Sequence, residues 1–544
     1  MRELLVRQFR QIVVWPLQLM PVKPGSPVQR HWEVLERITS GNPWHELADE
    51  FVDDPAEFQE RHYKEFVTFL PYVQRFLYGS SVGQEASSRI GEPSIHVYRR
   101  EDVRQVRITL KAGQPAIALD VAHVDLYFFL DADIAMLAFE MSATDLPIDT
   151  VQDVLFRFGR AYPAFWNNRG EGGNCPHLVE WLGAHGDVLS VSDFSARSKY
   201  LQFVARNRAP CIAQHWEFLV QPLKLEYPGQ SGALRYRQLE YYRMPFMSWL
   251  AVDDPMQLTR ADFVRMAVVT RPGLPDDLPY SESTLADFER DYCEDRFWNR
   301  SGEHASGDTR IIASGVTLAM VGRHDDPFYS GSESGLLGQF RHQYFLLFLI
   351  AHFHKAALLS MSDELAVAMN RLKVGDTESV KAFKRTIRQM MEVFLRFTHR
   401  YWFHEISSQA LASSVFARLR RHLDNENIYE EVRHEVVDMN SYLDSDSARR
   451  QANTVLRLTV VTIFGLIGTI ATGLLGMNLI DETASPFHLK AMVFTFALAV
   501  TVILTVVTIV KSKQLADFLD ALSDERVNWR GKLKLLRRGA TPDR

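Results

Sequence analysis

The chain is 544 residues long, carries a net charge of −6, has a mean hydropathy of −0.15 and holds three widely spaced cysteines, Cys175, Cys211 and Cys293. The acidic balance gives no reason to expect a nucleic-acid partner. An odd, scattered set of cysteines suits a reducing compartment, not a disulfide framework or a zinc cluster. The length suits two to four domains.

The first stretch, MRELLVRQFRQIVVWPLQLMP, lacks the long apolar core and small-residue cleavage site of a signal peptide, so the soluble part is expected to stay in the cytoplasm. Pro16, Pro21, Pro24 and Pro27 break up this beginning, and weak helical patterns come after them. Residues 1–91 therefore read as a mainly helical lead-in. From residue 92 the texture changes. Ser94–Tyr98, Val103–Leu110, Ala116–Leu130 and Ile134–Met141 are rich in β-branched and aromatic residues, with Asp131-Ala132-Asp133 placed as a hairpin turn. Asp149–Arg160 shows helical spacing, Phe218–Tyr227, Leu239–Trp249 and Arg310–Gly322 read as strands, and Ala261–Val269 and Ser283–Phe297 read as helices. This alternation predicts an α/β or α+β cytoplasmic domain over 92–325. Gly172-Gly173 and Gly331, Gly335 and Gly338 read as loops, and none of them forms a phosphate loop after a strand.

Residues 326–457 read as long helices. The run YFLLFLIAHFHKAALLSM is interrupted after eight residues by His352, His354 and Lys355, which predicts a buried helix and not a membrane span. Gly375-Asp376-Thr377 reads as a turn with a candidate N-cap for a helix whose apolar positions run from Val380 to Tyr401. Asn425–Arg457 carries the stripe Ile428, Val432, Val436, Met439 and Leu443 and meets neither Pro nor Gly before Gly465. It reads as a stalk of roughly 60 Å, continuous with the apolar run that begins at Leu458 and in need of neighbouring helices.

Two uncharged apolar runs lie beyond the stalk: Leu458–Ile480, with 23 residues, and Ala491–Val510, with 20. Each is long enough to span a bilayer as a helix, so residues 458–510 read as a transmembrane hairpin. Arg449, Arg450 and Arg457 before it and Lys511 and Lys513 after it place both termini in the cytoplasm and the loop Asp481–Lys490 outside. The tail, 511–544, contains RGKLKLLRRG, which suits contact with anionic lipid headgroups. The first run carries Thr459, Thr462, Thr469 and Thr472 besides four glycines. Gly465, Thr469 and Gly473, at i, i+4 and i+8, suit either close helix packing or a pore face. The second run has only threonines as polar residues, as expected for an outer, lipid-facing helix.

Gly476-Met477-Asn478 at the end of the first of two C-terminal spans resembles the signature of the CorA magnesium transporter superfamily. The upstream residues Asn453, Leu458-Thr459, Thr462-Ile463-Phe464, Thr469 and Gly473 resemble it too, as do Tyr429, Glu430, Val432, Glu435, Tyr442-Leu443 and Arg449 in the stalk. The resemblance is close over 335–515 and architectural over 92–325. It implies a homopentamer with a CorA-like cytoplasmic funnel in a plasma membrane, such as a bacterial inner membrane, and passive uptake of divalent cations, Mg²⁺ first. On that basis Gly476, Met477 and Asn478 form the pore mouth. Thr469, Gly473, Leu466, Thr462 and Leu458 line the pore, with a hydrophobic constriction at Leu466, Leu458 or Val455. Asn478 amides suit a hydrated cation, because Mg²⁺ releases its water reluctantly and prefers oxygen ligands. The chain departs from the family at Leu475, where an aromatic is usual, in the loop DETASPFHLK, which lacks Met-Pro-Glu, and in a segment 453–459 one residue short. Asp481 and Glu482 are candidates for the charge that attracts cations. Zn²⁺, Co²⁺ or Ni²⁺ transport, and a non-conducting membrane-tethered sensor or scaffold, are the alternatives.

Residues 424–446 hold eight acids and one arginine. Among them Glu435, Asp438, Asp444 and Asp446 are candidates for sensing intracellular cation. His352, His354, His399 and His404 read as structural. No arrangement of nucleophile and base is discernible, so no enzymatic activity and no resident cofactor are expected. The partners expected are copies of the chain itself, lipid and the transported cation.

Overall fold

The computed structural model describes residues 4–22, 28, 30–47, 60–79, 94–239, 243–274, 277–298, 308–333, 335–373, 376–476, 486–489 and 491–503. The chain divides into two compact units, Met1–Val436 and Val437–Arg544.

The first unit is built on a mixed, 14-stranded sheet. Its main path runs Cys293–Glu294, Arg310–Ala313, Thr317–Arg323, Phe246–Val252, Leu5–Leu19, Ile134–Pro147, Ile117–Phe129, Gln105–Thr109, Leu178–Leu182 and Val188–Val191. Ile95–Arg100 also pairs with Ile117–Phe129, and Arg235–Gln238 pairs with the end of the first strand. Most pairs are antiparallel; Phe246–Val252 and Thr317–Arg323 run parallel.

Leu5–Leu19 lies in the middle of this path, which corrects the expected helical lead-in. The segment looked unlike a strand because its second half shows no alternation: Gln11 to Leu19 are buried without a break. Both faces are covered. Phe9, Val13, Trp15 and Leu17 enter the core shared with the helix Ile148–Arg157. Ile12 and Val14 point to the other face, where the helix Gln343–Arg371 packs. A strand buried on both faces reads as a continuous apolar run. Pro16 is tolerated by position. The Val14 amide donates to the Pro245 carbonyl, so by alternation the nitrogen of residue 16 also faces that edge. There the ladder to Phe246–Val252 has ended at Val13 and the ladder to Arg235–Gln238 begins only at Leu17. The missing N–H of proline falls in the gap.

Further expectations are corrected. The helix expected over Ser283–Phe297 ends at Tyr292 and Cys293–Glu294 joins the sheet, Arg310–Gly322 is two antiparallel strands, and Gly338, read as a loop, lies in the helix Leu336–Arg341. Phe218–Tyr227 is not a strand: the helix Gln214–Val220 buries Trp216, Leu219 and Val220 at helical spacing, and only Lys224–Leu225 joins the sheet. The strand expected from Leu239 starts at Phe246, just after Pro245. The antiparallel pair Leu178–Leu182 and Val188–Val191 was not anticipated, its segments being short and punctuated by glycine. At Gly322 a glycine is required by packing. A Cβ there would run into the ring of Tyr329, which stacks on Trp249 with centroids 3.8 Å apart.

Downstream of the sheet the chain is helical: Leu336–Arg341, Gln343–Arg371, Thr377–Arg400, Ala410–Leu423 and Asn425–Gly476. Asp376 caps the third of these, its side chain accepting from the Glu378 amide. Leu336–Arg371 is long and apolar enough to cross a membrane by composition, yet 78% of its most apolar window is buried inside the protein. His352 and His354 are fully buried, and His354 Nε2 meets the Tyr401 carbonyl. Burial pushes the His354 imidazole down to about 3, so it sits there neutral.

Asn425–Gly476 is one helix of 52 residues, about 78 Å long. Val432 and Val436 on its apolar stripe are buried. In the second unit the chain resumes as the apolar helix Phe487–Ile503.

Candidate functional site

Leu458, Thr462, Leu466, Thr469 and Gly473 occupy the last turns of the long helix. At about 100° per residue they fall on one stripe, centred about 120° round the helix from Gly468. Gly468 marks the face turned to the second apolar helix. It is buried, and a Cβ on it would clash with the Thr501 side chain. Val461 and Thr472 flank it and are half-buried. The predicted stripe points elsewhere: Leu458 and Leu466 are 67% and 60% exposed, and Thr462, Thr469 and Gly473 are exposed as well. Among the described residues nothing stands within 4 Å of where a Cβ on Gly465 or Gly473 would be. Within the chain, then, Gly468 makes the close helix contact. Among the described residues Gly465, Thr469 and Gly473 make none. The sequence signal was present, since Gly468 and Thr472 are also small residues four apart, but one chain offers two such faces and composition does not rank them.

The threonines satisfy their own donors. Thr462 Oγ1 donates to the Leu458 carbonyl at 2.8 Å and Thr469 Oγ1 to the Gly465 carbonyl at 2.9 Å. This back-bonding removes the hydroxyl hydrogen and leaves the oxygen lone pairs on the outward side. Such a stripe can accept hydrogen bonds from the water shell of a cation, with Leu458 and Leu466 as apolar rings between the polar positions. Gly476 ends the described helix and is exposed. Met477, Asn478, Asp481 and Glu482 lie outside the described residues.

Of the stalk acids, Glu435 is half-buried, and burial, reinforced by Glu431, raises its carboxyl above the usual range. Asp438 is exposed. Asp444 is exposed and accepts from Asn440 Nδ2 at 3.2 Å. The side chain of Asp446 lies outside the described ones. Among the described residues no three His, Cys, Asp or Glu side chains gather closely enough to hold a metal ion. All three cysteines are buried. No family model, no curated protein and no solved structure matches the chain.

Proposed function

We propose that this chain is a divalent cation transporter of the CorA type, taking up Mg²⁺ through a homopentameric pore lined by its first transmembrane helix. The observation that carries the reading is the stripe Leu458–Thr462–Leu466–Thr469–Gly473. It combines small and hydroxyl-bearing residues and faces away from the hairpin partner, where copies of the helix are free to meet around an axis. The described first span, Leu458–Gly476, is about 28 Å long as a helix, close to the thickness of a bilayer core. The second helix supports a lipid setting. Phe487, Met492, Phe496 and Ile503 are each more than 60% exposed, an apolar surface larger than water-soluble monomers carry.

In this reading Asn478 amides at the outer mouth hold the hydrated ion by its water shell, and Asp481 and Glu482 raise its local concentration. Thr469 and Thr462 pass it inward, and a ring of Leu466 or Leu458 closes the path by excluding water. The membrane potential drives entry, contributing about 5 kcal/mol for a doubly charged ion at 100 mV. Glu435, Asp438, Asp444 and Asp446 then sit along the cytoplasmic funnel, where internal cation relieves their mutual repulsion. The test is flux into liposomes at an imposed negative-inside potential, with Mg²⁺, Zn²⁺, Co²⁺ and Ni²⁺ in turn. Wild type is expected to carry Mg²⁺ and Asn478→Ala to lose most of that flux. Absence of any divalent flux in the wild type would leave the scaffold reading.

A further inference from the structure

The last turns of the helix Thr377–Arg400 pack on the first turns of the long helix Asn425–Gly476, within the first compact unit. Phe394 stacks on Tyr429 with ring centroids 5.5 Å apart, and Trp402 stacks on the same ring at 4.4 Å. This contact sets where the other side chains of each helix lie, at about 100° per residue. On the shorter helix Phe383, Ile387, Met390, Phe394 and Phe397 form the buried stripe. Arg388 and Arg385 lie about 120° and 180° round from Phe394, and both are exposed. On the long helix Val432 and Val436 are buried. Glu435 and Glu431 lie about 120° and 160° round from Tyr429; Glu431 is exposed and Glu435 half-buried. The helix pair therefore carries arginines on the side away from the long helix and glutamates on the side away from the shorter one. Arg388 and Glu435 are each six positions from their ring of the contact, about 9 Å along the helix axis.

The neighbouring charges are paired within the chain. Lys381 meets Glu378 at 2.8 Å, Arg396 and Arg400 meet Asp131 at 3.4 and 2.9 Å, and Glu392 lies 3.9 Å from Arg396. Glu430 meets Arg433 at 2.8 Å, and Glu426 meets Arg420. Among the described residues Arg385, Arg388, Glu431 and Glu435 have no ion-pair partner. Burial, and then Glu431, raise the Glu435 carboxyl, as expected where no cation faces it. Each leftover pair shares one helix face, the arginines three positions apart and the glutamates four. The two pairs point to opposite sides, so they do not meet within one copy.

We propose that Arg385 and Arg388 of one copy meet Glu431 and Glu435 of the next, so that copies of the chain join head to tail through these helices. Two different patches that complement each other make a heterologous contact, and its repetition closes into a ring when the rotation permits. A second copy is the partner whose charges match in sign and number and lie equally far from the same aromatic contact. Exposed ion pairs contribute little each; they select which faces meet and leave the affinity to the rest of the surface. The contact rests on the homo-oligomeric reading proposed above and adds which faces join.

The test is cross-linking of the purified full-length protein in detergent with a short bismaleimide, which leaves the buried native cysteines untouched. Chains carrying both Arg388→Cys and Glu435→Cys are expected to give a ladder of covalent oligomers. Chains carrying either substitution alone are expected to run as monomers on the denaturing gel, because a head-to-tail contact does not bring a residue to its own counterpart. No ladder from the double variant, or dimers from a single variant, would overturn the proposal. Light scattering on the wild type separates the two readings: an oligomer without a ladder overturns this interface alone, whereas a monomer overturns the homo-oligomeric reading with it. Arg385→Glu with Arg388→Glu is expected to lower the oligomeric fraction severalfold, and the addition of Glu431→Arg with Glu435→Arg to restore it. An oligomeric fraction unchanged by the arginine reversal would overturn the proposal as well.

Discussion

Two apolar helices of this molecule have opposite surroundings. Gln343–Arg371 buries Leu347, Phe348, Leu349 and Phe353 completely, whereas Leu458–Gly476 leaves Leu458 and Leu466 more than half exposed. Hydropathy measures how much surface must leave water and does not say what replaces the water. In the first helix the replacement is protein, and the proof lies in its polar residues: His354 meets the Tyr401 carbonyl across the packing. In the second, each threonine turns back to its own helix, the usual solution where no neighbour supplies an acceptor.

That contrast is most sharply broken by one substitution made in each helix. Leu347→Asn puts an amide into a filled apolar site and is expected to destabilise the first unit by about 4 kcal/mol or more, read as a fall in its denaturation midpoint. Leu466→Asn is expected to leave that midpoint unchanged and to raise basal ion leak instead, since it wets the proposed constriction. Equal loss of stability in the two variants would mean that Leu466 is packed as Leu347 is. Next in size is Gly468→Leu. The clash with Thr501 is expected to cost the hairpin about 1–3 kcal/mol, seen by thermal melting of helical dichroism in micelles, while Gly465→Ala leaves the melt within about 0.5 kcal/mol of wild type. The reverse ranking would mean that the hairpin packs through Gly465.

The effects of pH have opposite signs. Burial opposes a charge on His123, but its pairing with Asp125 and Glu140 raises it to about 9 from an ordinary 6.5, so its stabilisation is complete below pH 6.5 and is lost as pH climbs through 9. It amounts to about 3 kcal/mol at most. His354 is held down at about 3, so its contribution is present above pH 6.5 and is lost as pH falls towards 3. Denaturation midpoints of His123→Gln are expected to flatten between pH 6.5 and 9 and to keep the acid-side slope. A flattened acid side instead would show that His123 is neutral in the folded protein.

The apolar runs, the stalk and most sheet strands after residue 94 were legible in the sequence, because alternation and helical spacing are local signals. Leu5–Leu19 was not, since burial on both faces erases alternation and Pro16 reads as a breaker until its partner strands are known. The stripe at the end of the long helix was legible as a spacing of small residues. Which glycine meets the second helix was not, because Gly465 and Gly468 differ only in what lies opposite. The cluster of His123, Asp125 and Glu140 was missed although these are conspicuous charges inside apolar strands. The bulge between Val121 and His123 that brings them to one face shifts the register by a single residue and leaves no mark in composition.

Whether the stripe faces water is most directly measured by cysteine block of flux. The native cysteines are buried, so Gly473→Cys and Val502→Cys can each be made in the otherwise unchanged chain. A membrane-impermeant thiol reagent added outside the liposomes is expected to stop Mg²⁺ flux through Gly473→Cys and to spare Val502→Cys, whose exposed position lies on the second helix. Block of Val502→Cys with Gly473→Cys untouched would contradict the placement of the pore on the first helix.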